Sequence, residues 1–314
     1  MDLAPPTIEP ARPAASPPTG TAPAGQVLPM TVRPAAAITD GATGSLVVLT
    51  VGPEAGSPAA LVLVDDSGTP RTLRLPGPAT AVTGDGRGTV YAATRGGIFT
   101  VELAGGRIER APIDGADGTD FTAIARRADG RLVLGSADGV AYTLAADRTV
   151  AEKADIFARV DAIATQGDYA VVLDRAQTSV TALNPDGSAG LALRAGLGAT
   201  TMAADPAGRI LVADTRGGQL LVFGIDPLIE RQAYPVGGSP YGVAGSSSLV
   251  WVSQTATNTV VGYDLATGIP VEKVRYPTVR QPDSLAFDEA SSTLYVVSGS
   301  GAGVQVIRDA GAGE

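Results

Sequence analysis

The chain has 314 residues, with 23 Lys+Arg against 32 Asp+Glu and a formal net charge of −9. It contains no His and no Cys, which removes Ser-His-Asp and Cys-His nucleophilic catalysis, His- or thiolate-held metals, haem, iron–sulfur clusters and disulfides. Apolar residues make up 44% and aromatics only 4%, while Gly 40 and Pro 23 demand many turns, so short strands built from Val, Leu, Ile and Ala are expected rather than helices.

Residues 1–25, MDLAPPTIEPARPAASPPTGTAPAG, hold seven prolines and six alanines and show no apolar periodicity. Such a segment has nothing with which to fill a core, so a disordered, extended, PPII-like linker is expected. Two roles fit it: an inconsequential chain end, or a spacer holding a globular head away from a membrane anchor. No apolar run approaches the ~18 residues of a membrane-spanning helix, and no signal-peptide apolar region is present. Membrane contact is therefore expected only through an N-terminal lipid anchor lying outside this sequence.

The globular domain is expected over 26–314. Gln26-Val27-Leu28-Pro29-Met30-Thr31-Val32 is an apolar run that precedes a repeat. From residue 34 one pattern recurs seven times: a small-apolar strand, a turn, an apolar strand, a Gly- or Asp-containing turn, an alternating strand, and a more polar strand. Anchored at Ala37, Ala81, Ala123, Ala162, Ala203, Val243 and Leu285, its spacings are 44, 42, 39, 41, 40 and 42. Four strands at this near-constant period indicate the blades of a seven-bladed β-propeller.

Blade three reads as Thr122 to Ala125, Arg131 to Gly135, Val140 to Ala145 and Val150 to Ile156; blade five as Thr201 to Ala204, Arg209 to Asp214, Gln219 to Gly224 and Glu230 to Val236. The last repeat stops after Val304-Gln305-Val306-Ile307-Arg308 without a fourth strand. Residues 26–32 can supply it, closing the ring and covering an otherwise open edge. Pro29 is tolerable there, because an outermost strand can lose a ladder donor. On this reading, deleting 26–32 destabilises the ring severely, whereas deleting 1–25 leaves the melting temperature unchanged.

Ala203-Ala204-Asp205-Pro206-Ala207-Gly208-Arg209-Ile210-Leu211-Val212-Ala213-Asp214 and Asn258-Thr259-Val260-Val261-Gly262-Tyr263-Asp264-Leu265-Ala266-Thr267-Gly268 resemble the lines of NHL-repeat and YncE-like propellers. The resemblance spans 34–308 and implies the fold; those families include scaffolds, surface antigens, lyases and lactonases. The Pro/Ala segment and an Ala/Gly/Arg-rich, Lys-poor usage look like an actinobacterial, mycobacterial-type propeller lipoprotein. That likeness implies an extracytoplasmic location at the cell envelope, lipid-anchored or secreted.

Catalytic signatures are scarce. Tyr263 to Gly268 matches the start of a quinoprotein stretch, but Val271 and Glu272 stand where its docking Trp belongs, so it reads as a turn between the third and fourth strands. Trp251, the single Trp, falls in Leu249-Val250-Trp251-Val252 and reads as blade-to-blade core. Virginiamycin-lyase-like propellers depend on a His that this sequence lacks. Neither a Gly-x-Ser-x-Gly elbow nor a Ser-x-x-Lys dyad occurs. Gly84-Asp85-Gly86-Arg87-Gly88 joins two strands and reads as a hairpin, not a dinucleotide loop.

Asp114, Asp117 and Asp120 fall at three-residue spacing and form a weak Ca²⁺ candidate, without the EF-hand order or its terminal Glu. A lactonase-type channel cation is not favoured either, since the inner strands offer almost no carboxylates. No cofactor is expected. Only two lysines, Lys153 and Lys273, and no dense arginine run leave no patch for nucleic acid.

Ligand binding is expected at the funnel formed by the outer-to-inner connections and the loops between second and third strands. Its candidates are Arg95, Asp120, Phe121, Arg159, Asp161, Asp174, Arg175, Asp214, Arg216, Tyr241, Gln254 and Asp283. They can form exposed ion pairs worth roughly 0–1 kcal/mol each, or a charged, aromatic-edged recognition surface. The reading that follows is a monomeric, non-enzymatic binding or scaffold propeller of a bacterial cell envelope, with a protein, small-molecule or glycan ligand. A metal-dependent hydrolase of the NHL/lactonase type and a glycan-binding propeller are its alternatives.

Overall fold

A computed structural model describes residues 6–311 apart from 31, 32, 55, 66 and 67. Its 28 strands form seven four-stranded antiparallel sheets, six of them in simple sequential order. The chain is an all-β, seven-bladed propeller, as its period indicates. All seven repeat anchors lie on inner strands and line one central channel.

Blade five shows why these residues make a blade. Its strands are Ala199–Ala204, Ile210–Asp214, Gln219–Ile225 and Leu228–Pro235, within a few residues of the sequence boundaries. Side chains alternate across a strand, and the two inter-blade seams use that alternation. Val212, Leu221 and Phe223 pack with Val171, Leu173 and Val180 of blade four. Leu211, Leu220 and Val222 face the other way, onto Val250, Val252 and Val261 of blade six. Each such buried aliphatic contributes about 1.5–3 kcal/mol. The outer strand needs only its edge residue inside; after Leu228 it exposes Ile229, Glu230 and Arg231.

Neighbouring blades are also latched at the channel wall by threonines. The hydroxyl of Thr80 donates to the Phe121 carbonyl of the next blade at 2.6 Å. Thr122 donates likewise to Val160, and Thr201 to Tyr241. Arg127 clamps blades three and four at the opposite end of the ring. It is fully buried, and its Nη1 and Nη2 donate to the carbonyls of Pro185 and Asn184 at 2.8 Å each. Burial lowers its pKa, against the opposing charges of Asp129, Asp168 and Asp186,.

Ring closure follows the expected route with a shorter strand. Gln26–Leu28 pairs antiparallel with Val304–Ile307, matching Gln26 with Val306, Val27 with Gln305 and Leu28 with Val304. The ladder ends before Pro29, and positions 31 and 32 of the expected 26–32 strand lie outside the described residues. Leu28 and Met30 bury between blades seven and one, against Leu46, Val48, Val62, Tyr295 and Val297.

The Pro/Ala segment departs from a freely hanging linker. Residues 6–25 form neither helix nor strand, and only bends interrupt them before the closing strand. Over 8–24, however, they lie on the loop face of blades four to seven, with Ala11 and Ser16 buried. Proline lacks a donor, and a PPII backbone forms no internal hydrogen bonds. The free carbonyls of such a segment are therefore available to loop side chains, which take them up. Residues 1–5 lie outside the described set.

Candidate functional site

The inner strands enclose a channel of about 610 Å³. Ala, Thr, Ile, Val, Met and Leu make up most of its wall. Four ionisable side chains interrupt this neutral lining, all on the loop face: Asp161, Arg175, Tyr241 and Asp283. They come from blades four, six and seven, carried by the entry to an inner strand or by the turn after a second strand, where inward-pointing residues can converge without breaking a ladder.

Burial sets the electrostatics of Asp161, Tyr241 and Asp283. Asp161 is pushed above the usual carboxylate range by desolvation, opposed by the Arg175 backbone N–H and by the charges of Arg175 and Arg159,. The Arg175 N–H donates to Asp161 Oδ2 at 2.8 Å, and Arg159 Nε reaches its Oδ1 at 3.2 Å. Asp283 is also raised by burial, against the lowering effect of a 2.9 Å bond from Gln281 Nε2. Tyr241 is raised by desolvation, with Arg175 pulling it down and Asp283 pushing it up. Tyr241 thus senses both Arg175 and Asp283 across the mouth.

A stability prediction follows from the raised carboxylates. The native state binds the proton of Asp283 more tightly than the unfolded chain does, so the ionised group opposes folding above its native pKa. That penalty fades as pH falls through the native pKa toward the ordinary Asp value. Asp283→Asn is therefore expected to melt at or above the temperature of the unsubstituted chain at neutral pH, with the gap narrowing in acid. Thermal melts across the acidic range check this; a clearly lower neutral-pH melting temperature for Asp283→Asn would show that the charge stabilises the fold.

The other funnel candidates are placed differently. Asp174 and Asp214 are fully buried and bound to backbone. Asp174 accepts from the N–H groups of Ala158, Arg159 and Gln177, and Asp214 from those of Leu197, Gly198 and Gly217 at 2.8–2.9 Å. Each ties the chain entering its blade to the turn after the second strand. Gln254 does the same work in blade six, donating to the Gly237 carbonyl and accepting from Thr259 and Arg275.

Phe121 is not at the surface. It is 1% exposed and packs edge-on to Tyr142 at 5.5 Å between blades two and three, because the strand already begins there and points the ring into the seam. Arg95 and Asp120 form an exposed 3.6 Å pair away from the channel lining. Asp114, Asp117 and Asp120 do not gather: among the described residues no group of three or more acidic side chains is placed to hold a metal.

Arg175 and Arg216 have a second role that sequence reasoning did not find. Arg175 Nη2 donates to the Ala11 carbonyl at 2.5 Å, and Arg216 Nη2 to the Glu9 carbonyl at 2.6 Å. Ser16 is the other missed residue. Its hydroxyl donates to the Thr255 carbonyl at 2.6 Å and accepts from the Gln281 N–H at 2.9 Å. One signal was in the sequence: Ser16 is the single serine of a Pro/Ala segment.

No protein-family model matches the sequence, and no curated protein matches it. Solved structures share its architecture. Virginiamycin B lyase from Staphylococcus aureus matches with a TM-score of 0.72 at 13% identity, over 90% of this chain and 98% of that one. A catalytically inactive variant of that lyase with a histidine changed to alanine, solved with quinupristin, matches with a TM-score of 0.70 at 11% identity, over 90% of this chain and 97% of that one. A chain of the Kuenenia stuttgartiensis hydrazine synthase gives 0.68 at 14% identity, over 93% and 99%. At these identities the likeness establishes the seven-bladed fold alone, which hosts unrelated functions.

Proposed function

We propose that this protein is a non-enzymatic binding module that takes a polyhydroxylated ligand, the end of a glycan, at the loop-face mouth of its channel. The observation that carries it is the cluster of Asp161, Arg175, Tyr241 and Asp283 on an otherwise neutral wall. Carboxylates accept from neighbouring hydroxyls, the guanidinium donates, and the phenol offers both a ring face and a hydroxyl. The same set lacks a nucleophile paired with a base. The similar lyase is inactive when a histidine is replaced, and this chain has no histidine at all. Against a metal-dependent hydrolase stands the donor set: Asp161 and Asp283 are the two carboxylates on the channel lining.

The module works at a bacterial cell envelope, as the soluble part of a lipoprotein. The Pro/Ala composition of the segment ahead of the ring supports that location; recovery of the native protein only from the cytosolic fraction would refute it.

Glycan fragments are expected to raise the melting temperature, because a ligand that binds only the folded state stabilises by about 2.7 kcal/mol at a hundredfold excess over Kd. Arg175→Ala with Tyr241→Phe is expected to abolish the shift. If divalent cations alone raise the melting temperature, and Asp161→Asn with Asp283→Asn removes that rise, the hydrolase reading replaces this one.

A further inference from the structure

The loop face around the channel mouth, sharing Arg175 with it, treats residues 8–24 as a bound peptide would be treated. Six side chains donate to main-chain carbonyls of that segment in succession. Arg216 takes Glu9, Arg175 takes Ala11, Gln281 takes Ala14, Arg280 takes Ser16, Asn258 takes Pro17 and Gln305 takes Ala24, at 2.5–3.3 Å. Backbone donors of the segment are used as well: the Ile8 N–H reaches the Ala176 carbonyl at 2.7 Å, and the Ala14 N–H reaches the Ser239 hydroxyl at 3.0 Å.

Three features of this surface bear on what it recognises. Main-chain carbonyls are common to all sequences, so these donors select a backbone shape rather than particular side chains. The side chains that do enter are small, Ala11 and Ser16. Proline-rich PPII chains present their carbonyls outward, and they lose little entropy on binding because they are already extended. The fit of the chain's own segment is also imperfect, since Arg175 Nε is buried beside it with no hydrogen-bond partner. A buried orphan donor costs free energy, so the cis segment leaves part of the Arg175 guanidinium unsatisfied.

We infer that the loop face of blades four to seven is a receptor for an extended, Pro/Ala-rich peptide segment of a partner protein, and that residues 8–17 occupy it in cis. The ladder of carbonyl-directed donors is the recognition element, and two small-residue notches set the register. This goes beyond the glycan reading and does not depend on any ligand entering the channel.

The test uses the full chain carrying Ala11→Lys and Ser16→Lys, which cannot seat its own segment, and a fluorescein-labelled peptide of residues 6–18. Saturable binding at least tenfold tighter than to the unsubstituted chain is expected. Adding Arg216→Ala and Gln281→Ala should weaken it at least fivefold, and a peptide with its prolines changed to glycine should bind at least tenfold more weakly. Equal binding to displaced and unsubstituted chains, or equal binding of the glycine peptide, would overturn the inference. If the lysine variant lacks a cooperative melt, the unsubstituted chain is probed with the same peptide carrying a photo-crosslinker at its Ala11 position. Crosslinks in the turns around Arg175 and Arg216 support the inference; their absence at saturating peptide overturns it. A lost glycan-induced shift with peptide binding intact sinks only the mouth reading, and the converse outcome sinks only this one.

Discussion

Trp251→Ala is expected to cost about 3–5 kcal/mol and to lower the melting temperature by about 10 °C. The indole lies on the second strand of blade six, Val250–Gln254, and is fully buried. It stacks between Tyr276 of its own blade and Phe287 of blade seven, with ring centroids 6.1 Å away on each side and interplanar angles of 21° and 18°. Space for it is made by Gly262 on the third strand, where an added Cβ would stand 2.9 Å from the indole Cζ3. Truncation leaves a large void between two rigid sheets that cannot collapse into it. Trp251→Phe should cost far less, because the indole N–H is buried without a partner and its loss offsets part of the missing volume. Denaturant titration followed by circular dichroism checks both; a cost below about 1 kcal/mol for Trp251→Ala would mean that the seam between blades six and seven is held elsewhere.

Legibility of the sequence tracked the range of the interaction. Blade boundaries were readable because strand alternation and turn chemistry are local: the Asp205 to Gly208 turn and the hairpin at 84–88 form where their residues require, with 3.2 Å and 3.0 Å backbone bonds. Trp251 was readable as core because a lone aromatic in a four-residue apolar run has nowhere else to go. Phe121 was misplaced because a loop and the first residue of a strand look alike when the preceding residues are Gly, Thr and Asp. All four of Asp174, Asp214, Asp161 and Asp283 carry a carboxylate, yet the first two are fully buried and each accept three backbone N–H groups, whereas the last two line the channel. What separates them is a register position at the end of a second strand, where the Asx geometry captures a turn. Docking of residues 8–24 was invisible for a different reason. It is carried by side chains 164 to 281 residues away along the chain, and a Pro/Ala composition reports only that the segment is extended.

Shortening the chain from its N-terminus is expected to give two separate losses rather than one. Removing residues 1–18 strips away the bonds from Ile8 to Pro17 but keeps the closing strand, and should lower the stability by about 2–3 kcal/mol, since each bond is worth about 0.5–1.5 kcal/mol net and ordering the segment offsets part of the sum. This contrasts with the unchanged melting temperature that a free linker would give. Removing residues 1–28 is expected to abolish cooperative melting. It uncovers the edge of Val304–Ile307, which invites association between chains, and it empties the Leu28 site between blades seven and one. Leu28→Ala alone should cost about 2–3 kcal/mol. Gly25→Val separates closure from chain length: Gly25 sits at φ +69°, and a side chain there would collide with the Val306 carbonyl oxygen, so the strand must lift from its partner. Melting temperatures in the order full chain, then 19–314, then Gly25→Val, with 29–314 unable to refold, are the expected series. Equal melting of the full chain and 19–314 would show that the docked segment adds nothing to the fold, and equal melting of Gly25→Val would show that the ring stays shut without its amino-terminal strand.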